Sequence, residues 1–233
     1  MDEMILHLND TVDFINKNHL SFEEGLIKLT SYEIDHKEAS MIKAMVKVGA
    51  FPHFKEMKDF DFSFQESINK EQIMDFLNHR FIHECENIVF LGSSGVGKTH
   101  LATSIGISAA KKRMSTYFIK CHDLMAQLKK AKLENRLESR LKHFASYKLL
   151  IIDELGYLPI DKEDSKLFFQ LIDRRYEKKS TMITTNINFS QWDQTFMDPV
   201  IANAIIDRIL HHAHVINITG KSYRLKDYYD DCD

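Results

Sequence analysis

The sequence predicts an α/β fold, with a parallel sheet between helices and a small all-helical N-terminal domain in front of it. Three observations predict it. From about residue 87 onward, short and very apolar segments alternate with longer stretches of helical spacing. A glycine-rich turn, GSSGVGKT, joins the first apolar segment to the helix that follows. The first fifty residues show helical spacing only. Strands that read as continuous apolar runs are buried on both faces, which requires helices above and below a parallel sheet.

At the N-terminus, Ser21-Phe22-Glu23-Glu24 is a capping box followed by Leu26, Ile27 and Leu29 at helical spacing. A second apolar stripe runs through Ile34, Met41, Ile42, Met45 and Val46, with Gly49 as a helix stop. FPHFKEMKDFDFSFQ, with phenylalanines at 60, 62 and 64, reads as an extended connector packed on the main domain. A helix is expected over about 70–81, a strand over 88–91 and a helix over 98–110. STYFIK (115–120) is a strand, and a helical stretch over 123–146 breaks near Glu134. KLLIIDE (148–154) is a strand, 164–179 a helix, TMITTN (181–186) a strand, 199–212 a helix and HVINIT (214–219) the last strand. The domains then run 1–52 (helical), 53–228 (the α/β domain) and 229–233 (tail).

A chain of 233 residues with 44% hydrophobic content can bury a substantial core, and 8 Gly and 3 Pro argue against disorder. Three scattered cysteines, Cys85, Cys121 and Cys232, suggest neither a disulfide framework nor a zinc ribbon and suit a reducing cytoplasm. No apolar run reaches membrane-spanning length, and the acidic start MDEMILHLND is unlike a signal peptide. Net charge is −3, yet residues 111–148 carry eleven Lys/Arg against three Asp/Glu. That local +8 suits either a polyanion partner or a solvated helix face.

The chemistry starts at the turn. Gly92, Ser93, Ser94, Gly95, Val96, Gly97, Lys98 and Thr99 fit the phosphate-binding pattern G-x-x-x-x-G-K-[ST], and His100 follows at the start of the helix. Glycines admit the backbone turns that point successive N–H groups at an anion. The helix N-terminus adds positive potential, Lys98 reaches the β- and γ-phosphates, and Thr99 ligates Mg²⁺. Asp153 emerges at the C-terminal end of its strand, where the Mg²⁺ ligand of such sites lies, and Glu154 would orient and deprotonate a water. Asn186 ends the next strand and would contact the γ-phosphate or that water; alone it also reads as a turn residue. Arg208 sits on an apolar helix and needs a partner, either Asp207 or Asp198 of its own chain or a phosphate held by another subunit. Arg224 follows in GKSYRLK. The run His211-His212-Ala213-His214 lacks zincin spacing and reads as a helix terminus.

Together GSSGVGKTHLA, LLIIDELGYLP, RRYEKKST, MITTN, the Trp192/Phe196 segment and DRILHHAHVINITGKSYRLK resemble IstB, the ATPase helper of an insertion-sequence transposase. IstB is similar to the DnaC helicase loader, and both belong to the AAA+ initiator clade; the likeness runs from about Phe54 to Lys226. The resemblance implies an AAA+ core without a complete C-terminal lid. It implies Walker A at Gly92–Thr99, Walker B at Asp153 and Glu154, sensor 1 at Asn186, an arginine finger at Arg208 acting in trans, and a sensor-2-like place for Arg224. Arg174, Arg175 and Arg224 are further candidates for the finger. ATP and Mg²⁺ are the implied cofactors. The implied function is ATP-dependent self-assembly on duplex DNA, largely independent of base sequence, with recruitment and stimulation of a partner transposase. A helicase loader, a small-molecule kinase and a non-catalytic nucleotide switch are the rival readings. The Asp153-Glu154 pair favours water as acceptor.

Overall fold

The computed structural model describes residues 2–226. Residues 229–233, Cys232 and any lid beyond them lie outside the described residues. The chain divides into two compact units, Met1–Lys47 and Val48–Asp233. The division falls a few residues before the 52/53 boundary suggested by sequence, because the turn after the N-terminal helices is tied into the second unit. The Phe118 amide donates to the Gly49 carbonyl at 2.8 Å, and the Phe51 ring packs against Phe118 and lies over Gly106, where a Cβ would meet it.

The first unit is helical: α1 (Asp2–Leu6), α2 (Leu8–Asn18) and α3 (Phe22–Val48). The capping box forms, with the Glu24 amide donating to Ser21 Oγ at 3.2 Å and the Ser21 amide donating back to Glu24 at 2.8 Å. The two apolar stripes expected over 26–46 lie on one continuous helix. Close packing of α2 on α3 depends on Gly25, whose added Cβ would lie 2.0 Å from Ile15.

The second unit begins with the aromatic connector, which makes one 3₁₀ turn at Met57–Asp59. The helix expected over 70–81 is broken into α4 (Lys70–Asp75), a 3₁₀ turn and α5 (Arg80–His83), because His79 takes the left-handed conformation at φ 60°. Then follow β1 (Asn87–Gly92), α6 (Lys98–Lys111), β2 (Thr116–Lys120), α7 (Cys121–Leu133), α8 (Leu137–Ser146), β3 (Leu149–Leu155), α9 (Lys162–Arg175), β4 (Ser180–Thr185), α10 (Trp192–Phe196), α11 (Pro199–Leu210) and β5 (Ala213–Ile218). Asn135, at φ 55°, makes the break between α7 and α8.

The five strands are parallel in the order β2-β3-β4-β1-β5. Alternation along each strand feeds two cores. Val89, Leu150, Ile152 and Ile183 point to the face covered by α7–α11, where Trp192 and Phe196 are fully buried with Phe168. Ile88, Phe90, Ile151 and Met182 point to the face covered by α6 and the connector. Because β1 lies between β4 and β5 in a parallel sheet, the loop after β1 and the C-terminal ends of β3 and β4 meet at one edge of the sheet. Among the described residues, no helix is long and apolar enough to cross a membrane.

Candidate nucleotide-binding site

One cavity at the carboxyl ends of the strands is lined by Ser94 to His100, Glu154, Asn186 and Arg224, and by residues of the connector. The loop between β1 and α6 is shaped for anions. Gly95 and Gly97 have φ of 83° and 100°, conformations that side chains with a Cβ rarely adopt. A Cβ would also strike Ser222 at Gly95 and the Phe60 ring at Gly97. The Tyr223 amide donates to the Gly95 carbonyl at 3.0 Å, which ties the loop to the segment carrying Arg224.

Lys98 is 8% exposed, and its ammonium donates to the carbonyls of Gly92 and Ser93 at 2.8 and 2.7 Å. Burial pushes its pKa down, opposed by the Asp153 charge. Thr99 Oγ1 donates to Asp153 at 3.0 Å. Asp153 is 1% exposed, and burial raises its pKa while the Thr184 and Thr99 hydroxyls lower it. A hydroxyl and a carboxylate adjacent to an anion loop form a hard oxygen donor set, which fits Mg²⁺ completed by water and phosphate oxygens.

Glu154 is positioned by a backbone irregularity. The β3–β4 register shifts between Ile152 and Leu155, so β3 carries one extra residue, and Glu154 takes φ 62°. A bulge of this kind re-aims a side chain. The Glu154 amide donates to Thr184 Oγ1 at 3.0 Å, and its carboxylate pairs with Lys120 at 2.9 Å. Lys120 and Asp153 are register partners at the ends of β2 and β3. Sequence reading missed Lys120 and Thr184; the available signal was their place at the C-terminal ends of strands, the same signal that marked Asp153. It also missed the connector's contribution of His53, Lys55 and Phe60 to the cavity wall. His100 lines the cavity too, its ring edge-on to Phe60 at 5.3 Å, and burial lowers its pKa.

The arginines separate clearly. Arg224 lines the cavity, and its charge reaches Lys98. Arg208 is not among the residues that line it. The intrachain partner of Arg208 is neither Asp207 nor Asp198: Arg208 Nε donates to Asp173 at 2.8 Å, and the guanidinium lies over Phe169 at 4.6 Å. Asp198 instead caps α11 and pairs with Lys162. Arg174 and Arg175 are committed elsewhere. Arg174 makes a bidentate pair with Glu138. Arg175 is 1% exposed and donates to the carbonyls of Phe144, Tyr147 and Ser180 and to Thr181 Oγ1. It clamps the turn after α8 to β4, so it is structural. Arg175→Met is expected to lower unfolding stability by about 3–5 kcal/mol, because several buried carbonyls lose their donor. Urea unfolding of the variant measures that loss.

Part of the basic segment is paired with carboxylates. Lys111 pairs with Glu56, Lys129 with Asp161 and Asp164, Lys132 with Glu163, Arg136 with Glu134, and Lys142 with Glu138. Lys130 and Arg140 line a shallow groove between α7 and α8.

Fold and site together define an ATP-binding P-loop protein of the AAA+ class. The chain belongs to the IstB-like ATP binding protein family, whose model matches residues 1–230. It is 69% identical over 229 residues, 98% of this chain and 92% of the relative, to a Bacillus thuringiensis subsp. berliner protein named for ATP binding in insertion sequence IS232. A relative similarly named in insertion sequence IS5376 of Geobacillus stearothermophilus is 41% identical, covering 92% of this chain and 86% of its own length. Among solved structures, the DnaC helicase loader matches at 27% identity and TM-score 0.56, over 64% of this chain and 86% of the loader. AMPPCP-bound DnaA from Aquifex aeolicus shares the fold, with 17% identity and TM-score 0.62, over 78% of this chain and 56% of its own.

Proposed function

We propose that this chain is an ATP-hydrolysing transposition helper that assembles on duplex DNA and stimulates the transposase of the same insertion sequence. The observation that carries an assembling ATPase is the division of the site. Lys98, Thr99, Glu154, Asn186 and Arg224 line one cavity, with Asp153 held behind Thr99 by its hydroxyl, whereas Arg208 lies outside the cavity on α11. In this reading Thr99 and Asp153 would hold Mg²⁺, which when bound would supply positive charge beside the phosphates. Lys98 leaves its two loop carbonyls for the β- and γ-phosphates. Glu154 takes a proton from the attacking water, with Asn186 beside it, and Arg208 serves the cavity of a neighbouring copy. The insertion-sequence relatives support the transposase as partner. Likeness to the DnaC loader favours a second reading, in which the partner is a replicative helicase.

Strand-transfer assays with an insertion-sequence transposase of the matching type decide between these readings. Stimulation that needs ATP is the expected result, and a helicase-loading activity without stimulation would reverse the assignment. Binding to duplex DNA is expected to weaken with salt. Since Lys129 and Lys132 already face carboxylates, Lys130 is the member of that trio expected to weigh on the salt slope. Lys130→Ala should flatten the slope by up to about 0.9 for a lost phosphate contact, and Lys132→Ala should leave it nearly unchanged. Fluorescence anisotropy over a salt series measures both.

A further inference from the structure

We propose that Glu177, His211 and His212 form a binding site for one divalent metal ion of the zinc class. One ligand atom from each of these residues lies within 4.8 Å of the other two. The Glu177 carboxylate stands 3.7 Å from His211 Nδ1 and 3.6 Å from His212 Nε2. Two ligands at about 2.0–2.1 Å from a tetrahedral zinc ion are separated by about 3.3–3.4 Å, so these two edges need to close by only a few tenths of an ångström.

Tertiary structure makes this arrangement possible, since the histidines are adjacent in sequence and the glutamate is 34 residues away. Helix α11 ends at Leu210, and the next two residues form a turn that brings both rings to one side, 4.0 Å apart. Glu177 stands in the turn after α9 in the left-handed conformation, φ 55°, and that turn is pinned by the amides of Lys178 and Lys179 donating to the Arg175 carbonyl. Left-handed backbone in a glutamate persists only where its surroundings hold it. His214, the third histidine of the run, is turned away and pairs with Glu86 at 2.9 Å.

Two imidazoles and one carboxylate select zinc, cobalt, nickel or copper over magnesium and calcium, which prefer oxygen alone. Three protein ligands leave a fourth position open to water or to a side chain from another molecule. The Tyr176 hydroxyl lies 2.6 Å from His211 Nδ1, and metal binding displaces it from that lone pair. Tyr176 also forms part of the aromatic surface under the Arg208 guanidinium, 6.0 Å from its ring, so an ion here borders the Arg208 platform. All three ligands are exposed, so removing any of them leaves the fold intact.

The test uses the untagged full chain without nucleotide, titrated with Zn²⁺ and then with Co²⁺ at neutral pH. One equivalent of Zn²⁺ is expected to bind with a dissociation constant on the order of 10 μM or tighter and to resist a large excess of Mg²⁺. The Co²⁺ form should show visible bands of a nitrogen and oxygen site without thiolate charge transfer, which separates it from binding at Cys85. Glu177→Gln and His212→Ala should each weaken binding at least about 10-fold. Absence of stoichiometric binding below about 100 μM, or equal binding by the parent and both variants, would overturn the proposal. Neither outcome depends on DNA, assembly or hydrolysis, so the site stands or falls apart from the proposed function.

Discussion

Arg208→Ala is expected to leave ATP binding near the parent level and to reduce hydrolysis by about 10³-fold, the contribution of an arginine supplied in trans to phosphoryl transfer. The structure sets the competing expectation. Arg208 also pairs with Asp173 and covers Phe169, a partly exposed contact whose loss costs about 1 kcal/mol at most. Thermal unfolding therefore distinguishes a modest loss of stability from a catalytic one. Mixing supplies the decisive comparison. Arg208→Ala retains the phosphate loop and Glu154, while Lys98→Ala retains the arginine. Mixed oligomers should recover part of the ATPase activity that each protein lacks alone. Oligomer size in the presence of ATP is measured alongside. Mixed oligomers without recovered hydrolysis would remove Arg208 as the finger. Arg175 could not replace it, since its donors are all turned inward, and Arg224 would become the next candidate.

Lys98→Ala and Glu154→Gln should separate binding from chemistry in one cavity. Losing the buried ammonium should weaken ATP binding by about 2–5 kcal/mol, roughly 30-fold to several thousand-fold. Glu154→Gln should bind ATP at the parent level and lose about 10²- to 10⁴-fold in hydrolysis, because an amide cannot accept the proton. The Lys120 pair adds a control. Since Lys120 holds the Glu154 carboxylate at 2.9 Å, Lys120→Ala changes the position and charge environment of Glu154 without removing it. Equilibrium binding of a fluorescent ATP analogue and phosphate release under single-turnover conditions read the two effects separately. Parent-rate turnover by Glu154→Gln would show that another group activates the water.

Much of this architecture was legible in the chain because its signals are local. Gly95 and Gly97 occupy backbone conformations that other residues rarely adopt, so the loop announces itself in eight consecutive letters. Apolar runs such as LLII mark strands buried on both faces, and Asp153 and Asn186 are marked by lying where such runs end. The Ser21–Glu24 capping box is equally local, and it forms as its spacing requires.

Tertiary structure decided what depends on which segments meet. Nothing in KLLIIDEL reveals that β3 carries an extra residue at Glu154, because a bulge is a property of the pairing with β4. Charge counting found +8 in residues 111–148 but could not see that the carboxylates of Asp161, Glu163 and Asp164 at the start of α9 would lie against α7 and cancel Lys129 and Lys132. Arg174 and Arg175 are neighbours in sequence, yet one is a surface pair and the other is buried among carbonyls, because only one side of α9 faces the core. Local backbone rules acting over a few residues were enough for the glycine-rich loop, the strand ends and most helical segments, though not for the break at His79. The three-dimensional fold alone decided which charges are cancelled, where Glu154 points and that Glu177 stands beside two histidines, because those outcomes depend on distances between residues far apart in the chain.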